Sequence, residues 1–240
     1  MLGLQRALSI VYPTQCVLCA AQVDEEGGLC GACWRETPFI SGLACDACGA
    51  PLPGSERGCA HCDKCLSTPR PWDAGRAAFL YEGHGRRIIL SLKHGDRTDL
   101  AKSAALWLQH AGRDILAEGT VLVPVPVHWS RLLSRRYNQS AEISRSLSKL
   151  TGLTACQDAL LRSKRTALQN GMTVAERQMN MQGAIIANPK RFQSLEGRRI
   201  CLIDDVMTSG STLTACTEAA LNAGADQVFV MVLARVAKTP

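Results

Sequence analysis

Two groups of residues in this sequence have types and spacings that can do chemistry. The first is the run Arg199 to Leu213. Ile200, Cys201, Leu202 and Ile203 are four apolar residues in a row, the pattern of a fully buried strand. Asp204 and Asp205 follow at its carboxyl end. Then Met207, Thr208, Ser209, Gly210, Ser211 and Thr212 open a helical pattern carried by Leu213, Cys216, Ala220 and Ala223. Exposed backbone N–H groups in a small hydroxyl-rich turn at a helix N-terminus cradle a phosphate. Acids beside that cradle would repel a bare polyphosphate. They suit a ligand with sugar hydroxyls for them to accept from, or one that carries Mg²⁺. A ribose 5-phosphate group meets both demands. No Gly-Lys-Ser/Thr closes the loop, so it is not a Walker P-loop. The plainer alternative is an acidic strand-to-helix turn with a Ser or Thr cap; it leaves the coincidence of acids, hydroxyls and strand–helix context unexplained.

The second group is the cysteines. Nine of the twelve lie between Cys16 and Cys65. They include four Cys-x-x-Cys pairs: Cys16 with Cys19, Cys30 with Cys33, Cys45 with Cys48, and Cys62 with Cys65. Each pair can place two thiolates on one ion from a tight turn, and two such knuckles complete a tetrahedral zinc site. Sequence order suggests two separate sites, with interleaved pairing left open. Cys59 and His61 remain over, and either could replace a member of the second site. Nothing in the sequence indicates export, so a disulfide framework is disfavoured. A closed Cys₄ shell has no open position for catalysis, so the expected zinc is structural. A segment this small and poor in apolar residues needs such staples to fold. Cys156, Cys201 and Cys216 sit in apolar settings and read as small core residues.

The elements that must position these groups follow from periodicity. Residues 1–12 read as a short helix through Leu4, Leu8 and Val11. Pro69, Pro71 and Trp72 mark a boundary, which gives a zinc-binding module over 1–70 and a second domain over 71–240. Gly75–Tyr81 reads as a strand, 84–92 and Asp99–His110 as helices, and 140–150 as another. Val121–Val127 is a β-branched run broken by Pro124 and Pro126, so a strand should end near Val123 and an irregular loop follow. Arg131, Arg135, Arg136, Tyr137, Asn138 and Gln139 come next, a cluster able to bind pyrophosphate or a nucleic-acid backbone. Residues 156–182 are polar and weakly patterned and read as a mobile lid. Gly183–Ala187 and Gln227–Ala234 read as strands. The alternation predicts an α/β fold with a mainly parallel sheet.

Charge is unevenly spread. Residues 1–72 hold 5 Lys/Arg against 7 Asp/Glu, leaving 22 against 14 for residues 73–240. The basic second part suits a polyphosphate or nucleic acid, although only 5% aromatic residues are there to stack bases. No apolar run is long enough to span a membrane and no secretory leader is evident, which makes a cytoplasmic protein the expectation.

Taken together these motifs resemble the ComF family, a phosphoribosyltransferase-like group that includes proteins tied to bacterial DNA uptake and competence. The resemblance spans nearly the whole chain. It rests on the paired cysteines before Pro71-Trp72, Lys93-His94-Gly95-Asp96, Val123-Pro124-Val125-Pro126, Arg135-Arg136-Tyr137-Asn138-Gln139, Lys164-Arg165-Thr166 with Gln169, Arg177 with Asn180, and the Asp204-Asp205 loop. It implies a type I phosphoribosyltransferase fold behind a double zinc ribbon, with Zn²⁺ on the eight paired cysteines. It implies that phosphoribosyl pyrophosphate (PRPP) binds with Mg²⁺, its ribose on Asp204 and Asp205 and its 5-phosphate on Thr208 to Thr212. Val125, Pro126, Arg135, Arg136, Lys164 and Arg177 would lie towards the pyrophosphate or in the lid. The reaction would be transfer of the phosphoribosyl group to an acceptor such as a base nitrogen, with Asp204 and Asp205 as catalytic candidates; no general base is evident. A non-catalytic module that binds single-stranded DNA beside DNA-uptake proteins, and retains the PRPP fold, is the alternative.

Overall fold

The structure is a computed structural model, and it describes residues 14–24, 27–54, 58–94, 99–127, 137–164, 173–181 and 183–237. The expected helix over 1–12 lies outside these residues, as do Arg131, Arg135, Arg136, Gly95, Asp96, Arg165, Thr166, Gln169 and Asn170. The side chains of His94 and Arg177 do too.

The described residues between 14 and 70 form two Cys-rich loops with one short helix each, α1 (Gly31–Glu36) and α2 (Asp63–Ser67). The chain then runs β1 (Ala74–Leu80), α3 (Gly83–His94), α4 (Leu100–Ala111), β2 (Val121–Pro124) and α5 (Gln139–Thr151). It continues through β3 (Leu160–Arg162), α6 (Val174–Met181), β4 (Ile185–Ala187), a 3₁₀ turn (Pro189–Ser194), β5 (Arg199–Met207), α7 (Ser211–Asn222) and β6 (Gln227–Arg235). Four strands form one sheet in the order β1-β6-β5-β2. Every pairing in it is parallel, as the alternation predicts.

Both faces of this sheet are covered, which explains why its strands read as unbroken apolar runs. On one face Leu122, Cys201, Ile203, Phe229 and Met231 pack against Ile88, Ile89, Leu92, Leu100, Leu108, Ile143 and Leu147 of α3, α4 and α5. On the other, Val123, Ile200, Leu202, Val228 and Val230 meet Leu213, Cys216 and Ala220 of α7. The second Cys-rich loop joins this second face through Cys45, Ala47, Cys48 and Cys65. The first loop goes to the helical side: Val17 enters that core, Ser103 donates to the Gly27 carbonyl at 2.6 Å, and Arg87 donates to the Leu18 carbonyl at 3.1 Å. The two loops therefore straddle the β1 edge. Between them the Ile40 N–H donates to the Ala78 carbonyl and the Leu80 N–H to the Pro38 carbonyl, both at 2.9 Å. That short antiparallel contact, with Phe39 opposite Phe79, covers an edge that would otherwise stand open.

Three expectations need correction. Pro124 is inside β2, paired with Ile203, rather than in the loop beyond it. The Leu122 N–H points away from β5, to the Thr154 carbonyl at 2.8 Å, while the Val125 N–H bonds the Ile203 carbonyl at 2.9 Å. Pro124 shares the outward direction of Leu122, so its missing N–H removes no bond to β5. Second, the acid pair is not past the strand's end. β5 runs on to Met207 because β6 supplies partners as far as Arg235, with Asp204 opposite Val232. Third, the described part of the expected lid, residues 156–164 and 173–181, carries structure. β3 pairs antiparallel with β4, α6 follows, and Ala159, Leu160 and Met181 are buried. A strand of three residues is too short to show a period. Cys201 and Cys216 are fully buried as expected, and Cys156 is half-buried.

Candidate functional site

The carboxyl edge of the sheet gathers the predicted loops. β5 ends at Met207; Thr208 and Ser209 turn the chain and Gly210 opens α7. Gly210 takes a left-handed conformation, φ 88°, and a Cβ there would lie 3.2 Å from both the Arg70 guanidinium and the Trp72 ring. Gly210→Ala is therefore expected to cost about 1–2 kcal/mol in urea unfolding, even before the neighbours shift. Thr208 is exposed, Ser209 and Thr212 are half-buried, and Gly210 and Ser211 are buried. The Ser209 and Ser211 hydroxyls lie 2.8 Å apart, which folds the turn back over the helix start.

Asp204 and Asp205 stand directly before this loop. The Asp204 Oδ1 accepts from the Ser140 hydroxyl at 3.0 Å and from the Asp205 N–H at 2.9 Å. Desolvation of its carboxyl group, followed by the charge of Asp205, pushes Asp204 up to about 7. Asp205 is ion-paired with Lys93 at the end of α3, Nζ to Oδ2 2.9 Å. Beside them, Val125 and Pro126 leave β2 as buried residues. Asn138 pins that exit: its Nδ2 donates to the Val125 carbonyl at 3.0 Å while its Oδ1 caps α5 on the Ser140 N–H at 3.1 Å. The Tyr137 hydroxyl donates to the Leu92 carbonyl at 2.6 Å. Asn138 and Tyr137 thus act on the frame of the site, a use the clustered arginines beside them obscured. Lys164 is exposed at the end of β3, with its ammonium close to Gly183.

Four contributors escaped the sequence reading. Ser140 looks like any first-turn serine. Arg70 donates to the Ser209 carbonyl at 2.8 Å across 139 residues. Arg235 donates to the Met207 carbonyl at 3.1 Å and the Thr208 carbonyl at 2.8 Å. Trp72 backs Gly210. A charge closing an apolar strand was the available signal for Arg235, and the strand assignment stopped one residue short of it.

The cysteines form two groups, Cys16–Cys19–Cys30–Cys33 and Cys45–Cys48–Cys62–Cys65, each with its four sulfurs within 4.8 Å of one another. Sulfurs of different knuckles approach to 3.5 Å (Cys19 and Cys30) and 3.8 Å (Cys48 and Cys62). A zinc tetrathiolate, with bonds of about 2.3 Å, needs sulfurs about 3.8 Å apart. Both groups fit Zn²⁺, in sequence order rather than interleaved. Cys59 and His61 belong to neither; they gather with Asp46 at the surface.

Comparison with known proteins agrees with both halves. The model of the double zinc ribbon domain matches residues 7–66, and that of the phosphoribosyl transferase domain matches residues 140–240. Competence protein F of Haemophilus influenzae is 27% identical over 227 residues, 92% of this chain and 96% of that protein. The DNA utilization protein YhgH of Escherichia coli is 28% identical over 232 residues, 94% of this chain and 99% of that protein. A solved structure of the allosteric regulatory enzyme of purine biosynthesis overlaps 60% of this chain and 30% of its own, at 18% identity and a TM-score of 0.39, too slight a likeness to carry an assignment. With two separate four-cysteine groups ahead of a parallel sheet whose carboxyl edge holds Asp204 to Thr212, the chain joins a double zinc ribbon to a phosphoribosyl transferase domain, and over nearly its whole length it is similar to competence protein F and the DNA utilization protein YhgH.

Proposed function

We propose that this protein binds PRPP–Mg²⁺ at the Asp204–Thr212 loop and serves in the handling of incoming DNA. The observation that carries the binding site is the adjacency of the half-buried acid pair and the αL-opened loop at one sheet edge. The loop takes the 5-phosphate, and Asp204 and Asp205 accept from the ribose hydroxyls. Ser140 and Lys93 hold those carboxylates in place before the ligand arrives. Asp204 and Asp205 are also the residues that would hold Mg²⁺, which would supply charge compensation for the pyrophosphate. If the protein turns the ligand over, an acceptor nitrogen bonds to C1 as the C1–O bond breaks, and pyrophosphate leaves with that electron pair. The DNA role rests on the likeness to a competence protein and a DNA utilization protein and on the basic balance of residues 73–240.

The direct test is calorimetric titration of PRPP–Mg²⁺ into zinc-loaded protein beside the Asp204→Asn/Asp205→Asn double variant. Binding that the variant reduces a hundredfold or more supports the site. Unchanged affinity in the variant removes it. The charge balance favours a second reading, a module for single-stranded DNA. It expects DNA affinity that falls steeply with added salt, and no such affinity at low salt would end it.

The protonation of Asp204 adds a pH signature. In the free protein its folded value lies above the ordinary 3.8. Its contribution to stability is therefore complete below about pH 4 and is lost as pH rises to about 7. The ribose hydroxyls need the carboxylate, so ligand binding must release this proton. Affinity should rise about fivefold from pH 6 to pH 7 and about twofold more by pH 8, where it levels off. Titrations in buffers of different ionisation enthalpy read the proton release, and Asp204→Asn should abolish it.

A further inference from the structure

Two arginines connect the phosphate loop to the second cysteine group. Arg235, only 2% exposed, directs one nitrogen to the carbonyls of Met207 and Thr208 and the other to the Cys48 sulfur at 3.7 Å. Arg70 directs Nη1 to the Ser209 carbonyl and Nε to the Cys65 sulfur at 3.5 Å. Three successive loop carbonyls are thus held by guanidinium groups whose far edges rest on two ligands of one metal site. Trp72 braces the same junction: its indole N–H donates at 2.6 Å to the carbonyl of Ala47, inside the Cys45–Cys48 knuckle, and its ring backs Gly210.

The consequence for the ligand follows from peptide geometry. In a trans peptide the C=O and the next N–H point in opposite directions, and no described peptide is cis. Carbonyls 207, 208 and 209 face the arginines, so the N–H groups of Thr208, Ser209 and Gly210 face away from the ribbon. That is the orientation an anion requires. Charge points the same way. A zinc tetrathiolate carries a net charge of about −2, and two guanidinium groups carry the opposite. Among the described residues no carboxylate pairs with either arginine. A buried cation without its counter-charge does not keep its place.

We propose that the Cys45–Cys48–Cys62–Cys65 centre, once it holds zinc, sets the affinity of the loop for its phosphate ligand, with Arg70 and Arg235 as the positioning residues between them. This rests on the reading of the loop as a PRPP site. Linkage then requires the ligand to protect that zinc, and to do so by the same factor by which the zinc strengthens ligand binding. None of the described contacts of the Cys16–Cys33 centre reaches the loop, so its zinc is the internal control.

The test measures zinc release to a chromophoric chelator from the full, zinc-loaded protein, with and without PRPP–Mg²⁺. The expected result is two phases, only one of which slows with ligand, by about tenfold. Arg70→Gln, at a half-exposed position that should still fold, is expected to weaken PRPP–Mg²⁺ binding about tenfold and to remove the protection. Equal release with and without ligand, from a wild-type protein shown by calorimetry to bind PRPP–Mg²⁺, overturns the coupling and leaves the binding site standing. A wild type that binds no PRPP–Mg²⁺ overturns both.

Discussion

Cys48→Ser is expected to lower zinc content from two ions to one per chain and the midpoint of thermal unfolding by on the order of 10 °C. The reason is where this centre lies. Cys45 and Cys48 have no exposure and Cys65 has 5%, and all three belong to the core on the α7 face of the sheet. Loss of the metal leaves buried thiols with nothing to bind and takes the counter-charge from Arg235. Removing one partner of a buried charge pair costs about 3–5 kcal/mol. The matched variant is Cys19→Ser. Its thiol is exposed, in the centre that docks on the helical side. That variant should also lose one zinc, with a much smaller thermal shift. Metal analysis and calorimetry on the pair decide the matter, and equal shifts would show that the second centre has no special hold on the core.

The next largest effect is expected from Gly75→Val. Gly75 lies in β1, where the second ribbon lies directly on the sheet. A Cβ there would sit 2.5 Å from the Ala47 carbonyl oxygen and 2.9 Å from a Val230 methyl. The oxygen is not free to retreat. Ala47 lies within the Cys45–Cys48 knuckle, and the Gly75 N–H already bonds the Asp46 carbonyl at 2.7 Å. Overpacking of this kind costs about 3 kcal/mol, and it should lift the ribbon off the strand. Urea unfolding gives the energy; limited proteolysis of residues 45–65 reports the detachment. Gly31, with nothing within 4 Å of its Cβ position, is the control. Gly31→Ala should change stability by no more than about 0.5 kcal/mol.

The parts of this molecule that were legible in the sequence are those written in short-range patterns. The Cys-x-x-Cys pairs fall within one turn each. The apolar runs of β5 and β6 are continuous because the sheet is covered on both faces. The helices show their buried stripes through Ile88, Ile89 and Leu92 in α3, Leu100, Ala104 and Leu108 in α4, and Ile143 and Leu147 in α5. What escaped depends on partners far along the chain. Arg70 meets Ser209 and Arg235 meets Cys48 only after folding, and no periodicity announces either. Strand β3 failed for a different reason, since three residues between polar neighbours carry no period. Pro124 misled because the rule against proline in a strand applies to the bonded side, and this residue faces the other.

The position of β6 has a consequence for how the protein is made. It is the last strand in the sequence, yet it lies in the interior of the sheet, hydrogen-bonded to both β1 and β5. β1 touches no other strand of the sheet. The ribbon loops and β1 precede β6 in the sequence, so during synthesis they wait for the strand that pairs with β1. Pairings so distant in sequence form slowly, and the nascent chain meanwhile exposes the apolar edge and faces of β1. Early zinc capture, which brings residues 38–40 onto the outer edge of β1, shields part of that surface on the ribosome. A chain that stops short of residue 227 lacks both the strand that joins β1 to β5 and the arginine that holds the loop carbonyls.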